Sequence, residues 1–145
     1  MRTLGLDVGE RRIGLAISDP DGRLALPIGA HERRGDDIAT LIDLCRREDA
    51  QRIVVGLPLS LDGSHGPQAD VAEHFADQLR ERAGIEVVLW DERLSSREAD
   101  HYLRAAGRRG KQAKAQRDAV AASIILQSFL DSRITGGLPP LPEIE

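Results

Sequence analysis

The sequence predicts a single α/β domain in which a mixed five-stranded sheet is flanked by helices. Three features carry that expectation. Up to Glu32 the chain holds three strand-like runs joined by tight turns. Apolar strand runs then alternate with helical stripes as far as Ser132. Finally, 145 residues, 41% hydrophobic and 30% charged, are enough for one domain with a sizeable core.

Residues 2–7 read as a short strand, closed by the turn Val8-Gly9-Glu10-Arg11-Arg12. Ile13 to Ser18 reads as a second strand, and Asp19-Pro20-Asp21-Gly22 is a strong turn signal. Arg23 to about Glu32 makes a third, less buried strand, so the first three form an antiparallel meander. Asp36 or Asp37 then caps a helix whose stripe Ile38, Leu41, Ile42, Cys45 has the i, i+3, i+4, i+7 spacing. Ile53-Val54-Val55 is apolar throughout, as in a strand covered on both faces.

After the loop Gly56 to Gly66, a helix is expected from about Gln68 to Arg82, with Val71, Phe75 and Leu79 on one face. Ile85 to Trp90 is the fifth strand. Ser95 followed by Glu98 has the pairing of a capping box and opens another helix, which Gly107 to Gly110 breaks. The last helix is expected from about Lys114 to Ser132. Residues 1–132 then form the domain. Residues 133–145, with Gly136, Gly137 and prolines at 139, 140 and 142, form a loose tail. The order β-β-β-α-β-α-β-α matches a ribonuclease-H-like sheet.

Three places interrupt runs that should have been apolar core. Asp7 ends Thr3-Leu4-Gly5-Leu6, Asp91-Glu92 ends Ile85 to Trp90, and Asp118 precedes the stripe Ala122, Ile125, Phe129. A carboxylate at the edge of a core is costly unless its charge is compensated. Brought together, such acids suit a hard divalent cation, Mg²⁺ or Mn²⁺. Ligands collect at the carboxyl ends of strands in α/β sheets, where Asp7 and Asp91-Glu92 lie; their acids converge if the two strands are neighbours. Plainer roles exist as well. Asp7 could shape the turn before Gly9, and Asp118 could answer the positive end of a helix. Adjacent residues in an extended chain point opposite ways, so one of the acidic pair faces Asp7; Glu92 is the first choice and Asp91 the reserve.

Composition narrows the rest. Net charge is −4, but the stretch Arg104, Arg108, Arg109, Lys111, Lys114, Arg117 carries six bases and no acid. Beside a metal site, such a stretch could hold phosphodiester backbone with little base preference. Arg11, Arg12 and Arg93 join it as candidate nucleic-acid contacts. The loop from Gly56 could offer backbone amides to a phosphate, and His65 there could move a proton, though a surface histidine is as readily inert. Cys45, the sole cysteine, reads as a small buried hydrophobe. No apolar run approaches the roughly 20 residues of a membrane helix, and the strand pattern begins within three residues of Met1. A cytoplasmic protein, free of membrane and acting as monomer or homodimer, is expected.

Four blocks then come into view together: Leu6-Asp7-Val8-Gly9-Glu10-Arg11-Arg12-Ile13-Gly14-Leu15-Ala16; Gly56-Leu57-Pro58 with Asp62-Gly63-Ser64; Asp91-Glu92-Arg93-Leu94-Ser95; and Asp118-Ala119-Val120-Ala121-Ala122. In this order they resemble the bacterial Holliday-junction-resolvase-like proteins of the YqgF family, pre-16S ribosomal RNA nucleases. The resemblance runs from Leu4 to Leu130. It implies a ribonuclease-H-like fold, divalent-metal-dependent nuclease activity, a cytoplasmic location and a role in maturing the 5′ end of 16S rRNA. It assigns the family's acids to Asp7, Glu92 and Asp118. The related resolvases carry an acid at the end of the fourth strand, where this chain has Gly56-Leu57-Pro58, so the fifth-strand acid would replace that ligand. A DNA junction resolvase and a non-catalytic nucleic-acid-binding module are the alternative expectations.

Overall fold

In the computed structural model, residues 1–94 and 111–137 are described. β1 (Arg2–Val8), β2 (Arg12–Ser18) and β3 (Ala25–Glu32) form the expected antiparallel meander. β4 (Ala50–Leu57) runs parallel to β1, and β5 (Glu86–Asp91) parallel to β4, giving the sheet order β3-β2-β1-β4-β5. α1 (Asp37–Arg47) and α2 (Pro67–Ala83) pack on one face, α3 (Lys111–Gly137) on the other. A short 3-10 turn, Glu92–Leu94, follows β5.

Strand alternation divides the residues between two cores. Leu4, Leu6 and Val8 of β1 meet α1 and α2, together with Ile13, Ile53, Val55, Phe75 and Leu79. Ala16 and Val54 meet Ala122, Ile125, Leu126 and Phe129 of α3. Complete burial of side chains such as Leu4, Leu6 and Phe75 stabilises the fold by about 1.5–3 kcal/mol each. Trp90 packs edge-on against Phe129 at 5.5 Å, and its indole N–H reaches Ser128 Oγ at 3.0 Å.

Local chemistry sets the boundaries. The β1–β2 turn closes where Gly9 N donates to Arg12 O at 2.9 Å. β3 starts at Ala25 rather than Arg23 because Asp19 Oδ1 takes the amides of Arg23 and Leu24 into the preceding turn. Asp36 is the cap of α1, accepting from Ala39 N at 3.2 Å. α3 includes the whole expected span from Lys114 to Ser132 and continues through Gly136 and Gly137, which the sequence places in the tail. Glycine costs a helix about 1 kcal/mol relative to alanine but keeps its N–H, so it weakens the helix without blocking it as proline does. The helix expected from Ser95, the Gly107–Gly110 break and the chain after Gly137 lie outside the described residues. Among the described residues no helix is long and apolar enough to cross a membrane.

Candidate active site

β1 and β5 are not neighbours, since β4 lies between them. The acids meet by another route. Asp7 lies on the α3 side of β1, paired directly with Gly14 of β2. It is also one step beyond the Leu6–Val55 pair, level with Gly56 of β4. Gly14, Asp7 and Gly56 therefore form a row across the sheet whose only side chain is the central carboxylate. A Cβ at Gly14 would stand 2.0 Å from the carbonyl oxygen of Asp118, so the chain of α3 rests directly on β2. A Cβ at Gly56 would stand 2.7 Å from Glu92 Oε2 and 2.7 Å from Ile125 Cδ1. Glu92 thus passes over β4 through the space of the missing side chain. Asp118 and Glu92 approach Asp7 from opposite flanks.

The electrostatics record that convergence. Burial, and then the charge of Asp118, pushes the Asp7 carboxyl up to about 6. Burial, followed by the charges of Asp7 and Asp91, pushes Glu92 up to about 8. Among the described residues nothing donates a hydrogen bond to the Asp7 carboxylate. Asp118 is partnered: Arg12 Nε donates to its Oδ2 at 2.7 Å, both side chains being 28% exposed. Because α3 begins at Lys111, Asp118 lies about two turns inside the helix, beyond reach of the helix-end dipole.

Asp91, the last residue of β5, and Glu92, the first of the 3-10 turn, diverge. Asp91 turns to Arg93, whose Nη2 reaches its Oδ2 at 2.6 Å and whose backbone N reaches Oδ1 at 2.9 Å. Hydrogen bonding from Arg93 holds the Asp91 carboxyl below its ordinary range. Asp7, Glu92 and Asp118 present a set of hard oxygen donors in which two acids resist ionisation. The donor chemistry of this set suits a divalent cation, which favours the deprotonated carboxylates that their neighbours disfavour, while among the described residues the ligand atoms that already lie within 4.8 Å of one another are those of His65, Asp70 and Glu73.

The basic candidates are less uniform. Arg11 is exposed on the β1–β2 turn, Lys114 is exposed on α3, and Arg117 is half-buried with an Nε that meets no partner among the described residues. Arg93, besides gripping Asp91, donates from Nη1 to Leu61 O at 3.3 Å, tying down the loop after β4. Lys111 is the first residue of α3. Arg104, Arg108 and Arg109 lie outside the described residues.

The loop itself narrows an expectation. The amides of Leu59, Ser60, Gly63 and Ser64 already donate to Leu57 O, Ser64 O, Ser60 O and Asp62 Oδ1, so none of these is left for a phosphate. His65 Nδ1 sits 3.5 Å from Glu73 Oε1, forming a surface group with Asp70 and Glu73 of α2. Cys45 is buried, and burial pushes its thiol up to about 11, which removes it as a nucleophile. Sequence reasoning missed the roles of Gly14 and Gly56 and the Arg12–Asp118 pair. Glycines inside otherwise apolar strand runs were the available signal, since they mark close approach.

This sheet order, with carboxylates gathered over its central strands, defines a ribonuclease-H-like domain. The RuvX family, described as Holliday junction resolvase, matches residues 1–132, and the chain belongs to that family. Among its relatives, a protein of Chloroflexus aurantiacus is 50% identical over 135 residues, covering 90% of this chain and 86% of its own. One from Anaeromyxobacter dehalogenans is 47% identical, covering 92% and 98%. Both bear the name "Putative pre-16S rRNA nuclease". The fold is shared with Thermus thermophilus RuvC bound to a Holliday junction substrate (TM-score 0.58, 13% identity, 92% of this chain and 96% of that one). It is shared too with the Fowlpox virus resolvase on junction DNA (TM-score 0.55, 10% identity, 92% and 99%).

Proposed function

We propose that this protein is a divalent-metal-dependent nuclease of the cytoplasm that cleaves a phosphodiester bond in structured RNA, the 5′-extended precursor of 16S rRNA. The observation that carries this reading is the row Gly14–Asp7–Gly56, which lets Asp118 and Glu92 flank Asp7 on one face of the sheet. Asp7, Glu92 and Asp118 would hold Mg²⁺ or Mn²⁺. Bound there, such cations supply the Lewis acidity that activates water for in-line attack on phosphorus and steadies the leaving oxygen.

The remaining residues bind and position. Arg11 and Lys114, both exposed, would take backbone phosphates together with Arg12, Arg93 and Arg117, and the sequence adds Arg104, Arg108, Arg109 and Lys111 as further candidate contacts. Arg93 keeps the loop after β4 beside the acids through Leu61 O. Asp7 and Glu92 must surrender their protons before they can act as ligands, so protons compete with the cation for the site.

Relatives named for pre-16S rRNA favour the RNA substrate. The family's description favours a DNA four-way junction as the second reading. Incubation of the protein with a 5′-extended 16S precursor and with a four-way DNA junction, each in Mn²⁺, Mg²⁺ or EDTA, separates them. Metal-dependent cleavage of the RNA is the expected result. Cleavage of the junction alone would replace the substrate. Binding without cleavage of either would turn the reading to a non-catalytic module.

A further inference from the structure

The Arg12–Asp118 pair joins a base to an acid that the proposed function needs as a ligand. Arg12 is the first residue of β2, and its backbone is fixed: its carbonyl accepts from Gly9 N at 2.9 Å, and it stands opposite Glu32 in the β2–β3 ladder. Its side chain is held, among the described residues, by one hydrogen bond from Nε to Asp118 Oδ2 at 2.7 Å, with both side chains 28% exposed. A guanidinium on a long, partly solvated arm can swing while its Cα stays in place. Asp118 has less freedom, because its backbone lies against the bare Cα of Gly14.

Charge balance separates the two flanks of the cluster. Arg93 neutralises Asp91, which turns away from Asp7, so that pair can persist whatever binds between the central acids. Arg12 neutralises Asp118, which is seated over Gly14, the direct partner of Asp7. If Asp7 and Asp118 held a dication, the guanidinium on Asp118 would stand near a like charge, and like charges at such a distance repel. A guanidinium set free there has a suitable new partner in a substrate phosphate, which it can grip in bidentate fashion.

Resting on the nuclease reading above, we propose that Arg12 is a displaceable counter-ion: it occupies Asp118 while the site is free of metal, and moves to a backbone phosphate of the RNA once a cation takes that carboxylate. The alternative role, a fixed support that orients Asp118 for the metal, predicts the opposite sign when the side chain is removed.

The test is Mn²⁺ binding, followed by the signal of free Mn²⁺ in electron paramagnetic resonance, for wild type, Arg12→Ala, Arg12→Gln, Arg12→Lys and Asp118→Asn, each checked for an intact fold by circular dichroism. Removing the competing charge should tighten Mn²⁺ binding about tenfold in both neutral variants, while Arg12→Lys stays near wild type and Asp118→Asn binds weakly. At saturating Mn²⁺ the two neutral variants should nevertheless cleave RNA more slowly, having lost the phosphate contact. Equal or weaker Mn²⁺ binding in both, with Asp118→Asn still impaired, would overturn the displacement and leave the metal site standing. Tighter binding with undiminished cleavage would overturn the transfer to phosphate. Unchanged Mn²⁺ binding in Asp118→Asn would overturn this inference and the metal site together.

Discussion

Gly56 lies beneath the carboxylate of Glu92, and a Cβ there would come within 2.7 Å of Oε2. The absence of a side chain on β4 is thus what admits an acid from the end of β5 to the centre of the sheet. The atoms a Cβ would meet, in Glu92 and Ile125, belong to the far ends of side chains, which can move aside. Gly56→Ala should therefore cost stability only within the usual overpacking range of about 1–3 kcal/mol, yet displace Glu92 and weaken Mn²⁺ binding. Urea denaturation and Mn²⁺ titration of the same variant check both halves; wild-type Mn²⁺ affinity would show that Glu92 does not depend on the gap.

Gly14 is a different case, because its neighbour is backbone. A Cβ would stand 2.0 Å from Asp118 O and 2.5 Å from Asp118 C, so α3 itself must shift. Gly14→Ala should cost at least about 3 kcal/mol, the upper end of overpacking penalties, and should fold poorly where Gly56→Ala folds well. Comparable urea midpoints for the two variants would contradict the close seating of α3 on β2.

The raised carboxyls make stability depend on pH with a definite sign. Asp7 rises from 3.8 to about 6 and Glu92 from 4.5 to about 8, so the folded protein holds these protons more tightly than the unfolded chain. Their contribution is present in full below the unfolded values and is lost as pH climbs through 6 and then 8. Asp37 and Asp91, whose carboxyls are held low, lose their contributions only in acid. In EDTA the Tm should fall between about pH 5 and 8, and saturating Mn²⁺ should flatten that fall by favouring the ionised acids. A Tm that rises across this range in EDTA would refute the assignment.

Arg93 connects the acidic turn to the loop after β4 through Asp91 and Leu61 O. Arg93→Ala should leave the Tm nearly unchanged, as removal of a solvent-exposed pair generally does. Limited proteolysis should instead cut faster between Leu59 and His65. Equal cleavage rates in variant and wild type would mean the loop holds itself, through the Leu59–His65 bridge and the Ser60–Ser64 bond.

Much of the fold was legible because period and punctuation agreed. Leu4, Leu6 and Val8 alternate on β1, Ile38, Leu41, Ile42 and Cys45 stripe α1, and Asp19 to Gly22 make a turn by local chemistry alone. The acids were legible as charges at the ends of apolar runs. Their gathering was expected from the strand ends, but its route was not legible, since β4 lies between β1 and β5 and the approach depends on two glycines that carry no chemistry of their own. The extent of α3 through Gly137 was hidden because a glycine pair reads as a stop, although glycine costs a helix only modestly.

On the proposed function, the carboxylate in the middle of the glycine row holds the cation that drives cleavage. Single-turnover cleavage of the 5′-extended 16S precursor by wild type and Asp7→Asn, over a range of Mn²⁺ concentrations, tests it most directly. At least a hundredfold loss is expected, about 2.7 kcal/mol in the barrier, in a variant that melts in EDTA at or above the wild-type temperature because a repelling charge has gone. Cleavage by Asp7→Asn at the wild-type rate would contradict it.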